Sequence, residues 1–150
     1  MDLILWRHAE AVDGAPDDAR ELTPKGVKQA DKVASFLRQH LPDESRILVS
    51  PATRARQTAD ALTEHYTLAP TIGLGASAHA VLQAARWPSA GGTVLVVGHQ
   101  PTLGAVAAQL LGSKEESLSI KKGALWWFSL REREDSAQLT LRLVISPEFL

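Results

Sequence analysis

Two short apolar segments of this chain each lead directly into a histidine. Leu3–Trp6 is followed by Arg7 and His8, and Val94–Gly98 is followed by His99. Apolar runs of this kind are typical of buried parallel strands in an α/β sheet, where ligands bind outside the carboxyl ends of the strands. A neutral imidazole can act as a nucleophile, and a guanidinium holds phosphate oxygens with a planar set of donors. The two segments therefore predict a site for an anionic phosphate group.

Two further arginines belong to the candidate site. Arg54 lies in the first turn after Ser50-Pro51, where the free amides of a helix N-terminus also favour an anion. Arg20 lies in the loop after the first strand, from which its side chain could reach the same phosphate. The predicted catalytic residues are Arg7, His8, Arg54 and His99, and the predicted phosphate ligands are Arg7, Arg54, His99 and Arg20.

Apolar periodicity and turn residues place these side chains on alternating strands and helices. Helices are predicted to begin at Thr23-Pro24 and end near Pro42, and to begin at Ser50-Pro51 and continue through Leu62. A third helix covers residues 77–87, and a fourth begins at Pro101 and ends at Gly112. The predicted strands are residues 3–6, 47–49, 93–97, 124–130 and 139–145, with a charged turn at 131–136. This pattern predicts one α/β domain that covers residues 1–150.

The composition excludes several classes of function. With 150 residues the chain is long enough to bury a core, and its net charge of -1 gives no general attraction to nucleic acid. The chain has no cysteine, which excludes disulfides, thiolate catalysis and cysteine-bound zinc. No basic leader or long apolar segment is evident, so we expect a cytoplasmic protein without membrane contact.

Common cofactor motifs are absent from the sequence. There is no G-x-x-x-x-G-K-[ST] loop, no G-x-G-x-x-G, no H-E-x-x-H and no G-x-S-x-G, and we expect no cofactor. His8-Ala9-Glu10 matches the H-x-E of zinc deaminases, but their cysteine ligands are missing. A metal bound by His8, Glu10 and His99 is an alternative that the neighbouring arginine charges disfavour.

Four ordered blocks resemble the histidine phosphatase superfamily. Leu5–Glu10 is similar to its R-H-G signature, and Leu22–Gly26 to its L-T-x-x-G helix start. Ser50–Thr58 resembles its S-P-x-x-R-A-x-Q-T block, and Val97–Pro101 its second-histidine block. The order of the blocks and the compact length are most similar to the SixA-type phosphohistidine phosphatases. The resemblance implies a three-layer α/β/α fold with a mostly parallel central sheet and without a large lid insertion.

The resemblance also implies a metal-independent phosphatase. His8 would attack phosphorus and become a transient phosphohistidine, which water then hydrolyses. Arg7 and Arg54 would hold the phosphate oxygens and keep the His8 imidazole neutral through like-charge repulsion, and His99 would add another donor. The implied substrate is phosphohistidine in a signalling protein. The sequence does not specify the oligomeric state.

The chain departs from the family pattern in two places. Ala9 replaces the glycine that follows the first histidine, and residues 68–98 contain no Asp or Glu, although phosphomonoester-active relatives typically place a proton donor there. Without that acid an alkyl ester is a poor substrate, unless Glu10 or Asp17 supplies the proton. A phosphatase for small phosphate esters and a non-catalytic phosphate-binding module remain alternatives.

Overall fold

The computed structural model describes residues 1–150 and contains one six-stranded sheet. The strands are β1 (Asp2–Arg7), β2 (Arg46–Val49), β3 (Thr67–Leu68), β4 (Thr93–Gly98), β5 (Leu125–Arg133) and β6 (Ser136–Ile145). The helices are α1 (Pro24–His40), α2 (Thr53–Asp60), α3 (Ala78–Ala85) and α4 (Thr102–Leu110). The strand order is β3-β2-β4-β1-β5-β6; the first four strands are parallel, and β5 and β6 are antiparallel. None of the helices combines the length and the apolar sequence that a membrane-spanning helix requires.

Helices cover both faces of the sheet because alternate side chains of β1 and β4 point in opposite directions. Ile4 and Trp6 pack in one apolar cluster with residues of α1 and α2. Leu3 and Leu5 pack in a second cluster with residues of α3 and α4. The predicted single-domain, three-layer α/β/α fold with a mostly parallel sheet is therefore confirmed.

Two predicted helix starts are wrong, one by two residues and the other by one residue. Helix α2 begins at Thr53 rather than at Pro51, with Ala52 at the N-cap, and it ends at Asp60, before Leu62. The Ser50 hydroxyl accepts the Ala52 amide at 3.2 Å and contacts His99, so it does not cap the helix. Helix α4 begins at Thr102, and Pro101 occupies the N-cap position.

The strand predictions are correct in the core and incomplete at one edge. The two-residue strand β3 was not predicted, because both of its residues are exposed and pair with β2 only through the backbone. The hairpin of β5 and β6 extends further than expected, and its turn is confined to residues 134–135. Neither difference affects the strands that carry the candidate site.

The start of α1 is bound to the loop that follows β1. The Thr23 hydroxyl accepts the Gly26 amide at 2.9 Å and donates to the Glu10 carboxylate at 2.8 Å. The Thr23 amide donates to the Glu10 carbonyl at 3.0 Å. A Cβ atom on Gly26 would overlap that same carbonyl oxygen. The glycine is therefore required by close packing rather than by an unusual backbone angle.

Replacement of Gly26 by alanine should destabilise the protein. At an unobstructed helix position the same replacement increases helix stability by about 1 kcal/mol. We expect a loss of about 1–3 kcal/mol in the free energy of unfolding, because backbone atoms must move to admit the methyl group. Urea unfolding measures this loss. Gly98→Ala is the control, since its Cβ would lie 3.6 Å from Leu103, an ordinary contact. A Gly26→Ala variant as stable as the wild type would contradict the packing described above.

Candidate active site

Strands β1 and β4 deliver the two histidines to the same edge of the sheet. They are adjacent and parallel, and Arg7 pairs with Gly98 in the register. The His8 amide continues the ladder by donating to the Gly98 carbonyl at 3.0 Å. The rings of His8 and His99 lie 5.2 Å apart, centroid to centroid. The carboxyl ends of two neighbouring strands therefore hold the histidines side by side.

The hydrogen bonds of His8 determine which ring nitrogen carries its proton. Its Nδ1 atom lies 2.8 Å from the Ala9 carbonyl oxygen, which can only accept. Nδ1 is therefore protonated, and the Nε2 atom of the neutral ring carries a lone pair. The Arg54 Nε–H group donates to this lone pair at 3.3 Å. Nε2 is therefore the only ring nitrogen of His8 that could act as a nucleophile.

Burial and nearby cations keep both imidazoles neutral. The pKa of His8 is lowered from 6.5 to about 3, mainly by burial; the hydrogen bond to Ala9 opposes this shift, and the charges of His99, Arg54 and Arg7 add to it. Burial and Arg54 likewise lower the pKa of His99 to about 4. At neutral pH neither histidine therefore adds to the cationic charge of the site.

The two site arginines reach the histidines from different elements. Arg54, in the first turn of α2, is 5% exposed, and its Nη1 donates to the Asp17 carbonyl at 2.6 Å. The Nη1 group of Arg7 donates to the Ile120 carbonyl at 2.8 Å. Arg7 Nε and His99 Nδ1 are buried and have no hydrogen-bond partner within the protein. The site therefore holds polar atoms that its own side chains do not satisfy.

One pocket of about 430 Å³ contains all five of the residues singled out from the sequence. Arg7, His8, Arg54 and His99 line it together with Arg20. The other lining residues are Ala11, Asp13, Asp17, Leu74, Gly75, Gln100 and Lys122. The predicted residues thus meet at one edge of the sheet, in a space large enough for a phosphate group.

Arg20 occupies the rim of this pocket and makes other contacts there. Its Nε group donates to the Val12 carbonyl at 2.6 Å, and its Nη1 group donates to the Asp17 carboxylate at 2.9 Å. Asp17 in turn accepts from Arg54 Nη2 at 3.4 Å. These hydrogen bonds, led by that of Arg20, hold the pKa of the exposed Asp17 carboxyl below its usual value. Arg20 and Asp17 together connect the loop to Arg54.

Glu10 lies outside the pocket, and the alternative of a metal bound by His8, Glu10 and His99 is wrong. The Glu10 carboxylate accepts from Thr23, and Glu10 does not line the space around His8. No three His, Asp or Glu side chains are grouped so that they could hold a metal ion. The donors that surround His8 are cationic or neutral, which suits an anion.

Sequence reasoning overlooked several residues that support the site. Ser50 Oγ lies 2.7 Å from His99 Nε2, and Thr58 Oγ1 accepts the Ala9 amide at 3.0 Å. Ser50 and Thr58 are the first and last residues of the S-P-x-x-R-A-x-Q-T block. The motif therefore contained both residues, although the sequence did not show that they support the site. Lys122 reaches the pocket from the loop before β5, and nothing in its local sequence indicates this position. Ala9 itself has no positive φ angle, so its methyl group causes no backbone strain.

Comparison with known proteins agrees with this geometry. Residues 3–76 match the histidine phosphatase superfamily (branch 1). The phosphohistidine phosphatase SixA homolog of Haemophilus influenzae is 33% identical over 130 residues, which cover 76% of this chain and 79% of the relative. The phosphohistidine phosphatase SixA of Escherichia coli is 30% identical over 123 residues, which cover 73% of this chain and 74% of that relative. A solved structure of the protein histidine phosphatase SixA complexed with tungstate superposes with a TM-score of 0.81 at 25% identity and covers 99% of both chains. The chain therefore belongs to the histidine phosphatase superfamily, as a phosphatase of the SixA type.

The buried neutral histidines should make the folded state sensitive to acid. Their folded pKa values lie below the usual 6.5, so the unfolded chain binds more protons, and stability falls as the pH drops below about 6.5. We expect a loss of up to about 1.4 kcal/mol per pH unit for each histidine. Urea unfolding at pH 7.5 and pH 5.0 should show a smaller pH effect in His99→Asn than in the wild type. The exposed His79, changed to Asn, serves as the control, and identical pH effects in all three proteins would refute the assignment.

Proposed function

We propose that this phosphatase removes the phosphoryl group from phosphohistidine in a signalling protein, by way of a covalent intermediate on His8. The observation that supports the proposal most directly is the orientation of His8. Its Nδ1–H is held by the Ala9 carbonyl, and its Nε2 lone pair faces Arg54. A neutral nucleophile held between cations fits attack on an anionic phosphoryl group.

The proposed reaction has two steps. In the first, the His8 Nε2 lone pair forms a bond to phosphorus, the phosphorus–nitrogen bond of the substrate breaks, and the leaving imidazole takes a proton from solvent. In the second, a water oxygen forms a bond to phosphorus, the bond from phosphorus to His8 Nε2 breaks, and the water gives one proton back to solvent, so that inorganic phosphate leaves and His8 is neutral again. Each step transfers one phosphoryl group, and neither requires a redox partner.

Positive charge around the pocket stabilises the transition state in this proposal. Arg7 and Arg54 hold the equatorial phosphoryl oxygens, and His99 donates to them from Nδ1, which has no partner within the protein. Arg20 lines the same pocket and joins as a ligand once its guanidinium releases Asp17. The phosphate then competes with Asp17 for Arg54, because both present oxygen atoms to the same guanidinium.

The acidic groups of the pocket favour a phosphoramidate over an alkyl ester. Asp13 and Asp17 are the carboxylates that line it. The lowered pKa of Asp17 keeps it ionised at neutral pH, so it is a poor proton donor to an alkoxide. Imidazole has an ordinary pKa of about 6.5 and leaves readily with a proton from solvent. The leaving group that this site serves best is therefore histidine.

Replacement of His8 should test the covalent step. We expect His8→Ala to abolish turnover, whereas His99→Ala should remain active with kcat reduced about 10²–10³-fold, because it loses one transition-state donor. Radiolabel from a phosphohistidine substrate should be trapped on the wild type as an acid-labile, base-stable adduct, and not on His8→Ala. His79→Ala should behave as the wild type, because His79 is exposed and does not line the pocket. Full activity of His8→Ala would overturn the mechanism.

A comparison of substrates should test the substrate class. With EDTA present, phosphate release from a phosphohistidine protein should exceed release from an alkyl phosphate such as glycerol phosphate by at least about 10²-fold in kcat/KM, because the lowered pKa of Asp17 makes it a poor proton donor to an alkoxide. Hydrolysis of the alkyl phosphate alone would favour a phosphatase for small esters. Stoichiometric binding without release of phosphate would indicate a binding module instead. Loss of activity in EDTA, restored by a divalent ion, would contradict metal independence.

A further inference from the structure

A second, larger hollow adjoins the catalytic pocket. Its volume is about 760 Å³, and it shares Arg7 and Lys122 with the pocket around His8. We call it the lysine groove, and it is lined by Arg7, Glu10, Lys25, Lys28, Gln29, Lys32, Ser119, Lys121, Lys122, Ser146, Pro147 and Glu148. Because Arg7 and Lys122 line both spaces, one extended ligand could occupy the groove and the pocket around His8 at the same time.

The lysine groove carries an excess of positive charge that the protein does not neutralise. Five lysines and Arg7 line it against two carboxylates, those of Glu10 and Glu148. The salt bridges of the protein all involve Arg20, Arg54 or Arg142, so no groove lysine lies within 4.0 Å of a carboxylate oxygen. The chain as a whole has a net charge of -1. Five of the six lysines of the chain therefore line this one groove.

The cations of the groove form an extended line. Lys25, Lys28 and Lys32 follow one another along one side of α1. Because an α-helix rises about 1.5 Å per residue, these three lysines extend over about 10 Å. Lys121 and Lys122 add two more from the loop before β5, and all five lysines are exposed. A single phosphate ion would contact only part of such a line. The spacing fits several negative charges along one ligand.

The residues that line the groove favour some classes of ligand over others. It includes no aromatic side chain on which a nucleobase could stack, and no aliphatic surface beyond Pro147 for a lipid chain. Exposed ammonium groups with polar neighbours suit carboxylates on a flexible polypeptide. We propose that the lysine groove binds an acidic segment, rich in Asp and Glu, that flanks the phosphohistidine of the substrate protein. This inference rests on the function proposed above and adds the feature by which the substrate is recognised.

Two phosphohistidine peptides of equal length test the proposal. One carries Asp and Glu around the phosphohistidine, and the other carries Asn and Gln at the same positions. In low salt the wild type should have a kcat/KM on the order of tenfold higher for the acidic peptide, mainly through KM, and high salt should reduce the difference. In K28E/K32E the preference should disappear. Hydrolysis of the neutral peptide should stay unchanged, because neither lysine lines the catalytic pocket.

The matched control is K114E, which reverses the charge of an exposed lysine outside the groove and should retain the preference. K28A/K32A should show an intermediate preference, and circular dichroism should show that all variants are folded. Equal kcat/KM for the two peptides in the wild type would overturn the proposal, as would a preference that persists in K28E/K32E.

A binding measurement separates failure of the groove from failure of the proposed function. Fluorescence anisotropy with the acidic peptide lacking phosphate reports on the groove alone, even if neither phosphopeptide is hydrolysed. Binding to the wild type and K114E, but not to K28E/K32E, would support the proposal. Absence of binding to the wild type would overturn it, as would tighter binding of a single-stranded oligonucleotide of equal charge.

Discussion

The site depends on the register between β1 and β4. Because Trp6 pairs with Val97 and Arg7 with Gly98, the two strands end at the same level, and the next residue on each is a histidine. A shift of one residue in this pairing would send every side chain of β1 to the opposite face of the sheet. The buried side chains on both faces oppose such a shift, because each apolar cluster accepts only its own set of residues. Core packing therefore sets the distance between the two imidazoles.

Arg54 connects the chemistry of this edge to the surrounding loops. It donates to His8 and to the Asp17 backbone, and its carbonyl accepts the Thr58 hydroxyl at 2.7 Å. Thr58 in turn holds the Ala9 amide, next to the carbonyl that orients His8. One turn of α2 thus supports the backbone that orients the His8 ring, places a cation beside that ring and anchors the loop at the mouth of the pocket. The low exposure of Arg54 makes its charge more effective, since little solvent screens it.

The basic groups of this enzyme are divided between two environments. Arg7 and Arg54 are confined around His8, whereas the groove lysines are exposed beyond Arg7 on α1 and the loop before β5. The arginines have planar donors that match phosphate oxygens, and the lysines are flexible point charges. In the proposed function, this division separates a rigid site for the reacting group from an adaptable surface for the rest of the substrate. It also places the flexible cations where a protein substrate would approach.

The sequence determined much of the fold and the members of the site, for identifiable physical reasons. Apolar runs and turn residues predicted the core strands and four helices, and four ordered motifs singled out Arg7, His8, Arg54 and His99. Helix starts were predicted less well, because Ser50 has the features of an N-cap but its hydroxyl contacts His99, which lies far away in the chain. A local sequence pattern cannot show whether a hydroxyl will cap the helix that follows it or bind a residue from a distant part of the chain.

Only the tertiary structure decided how the polar groups are paired. It placed the proton of the neutral His8 ring on Nδ1 and its lone pair on Nε2, bound Glu10 to Thr23, and joined Arg20 and Arg54 through Asp17. It also brought the lysines of α1 together with those before β5, about ninety residues later in the chain. Such pairings depend on distances between segments that the packed sheet sets, whereas sequence patterns report periodicity and spacing along one segment.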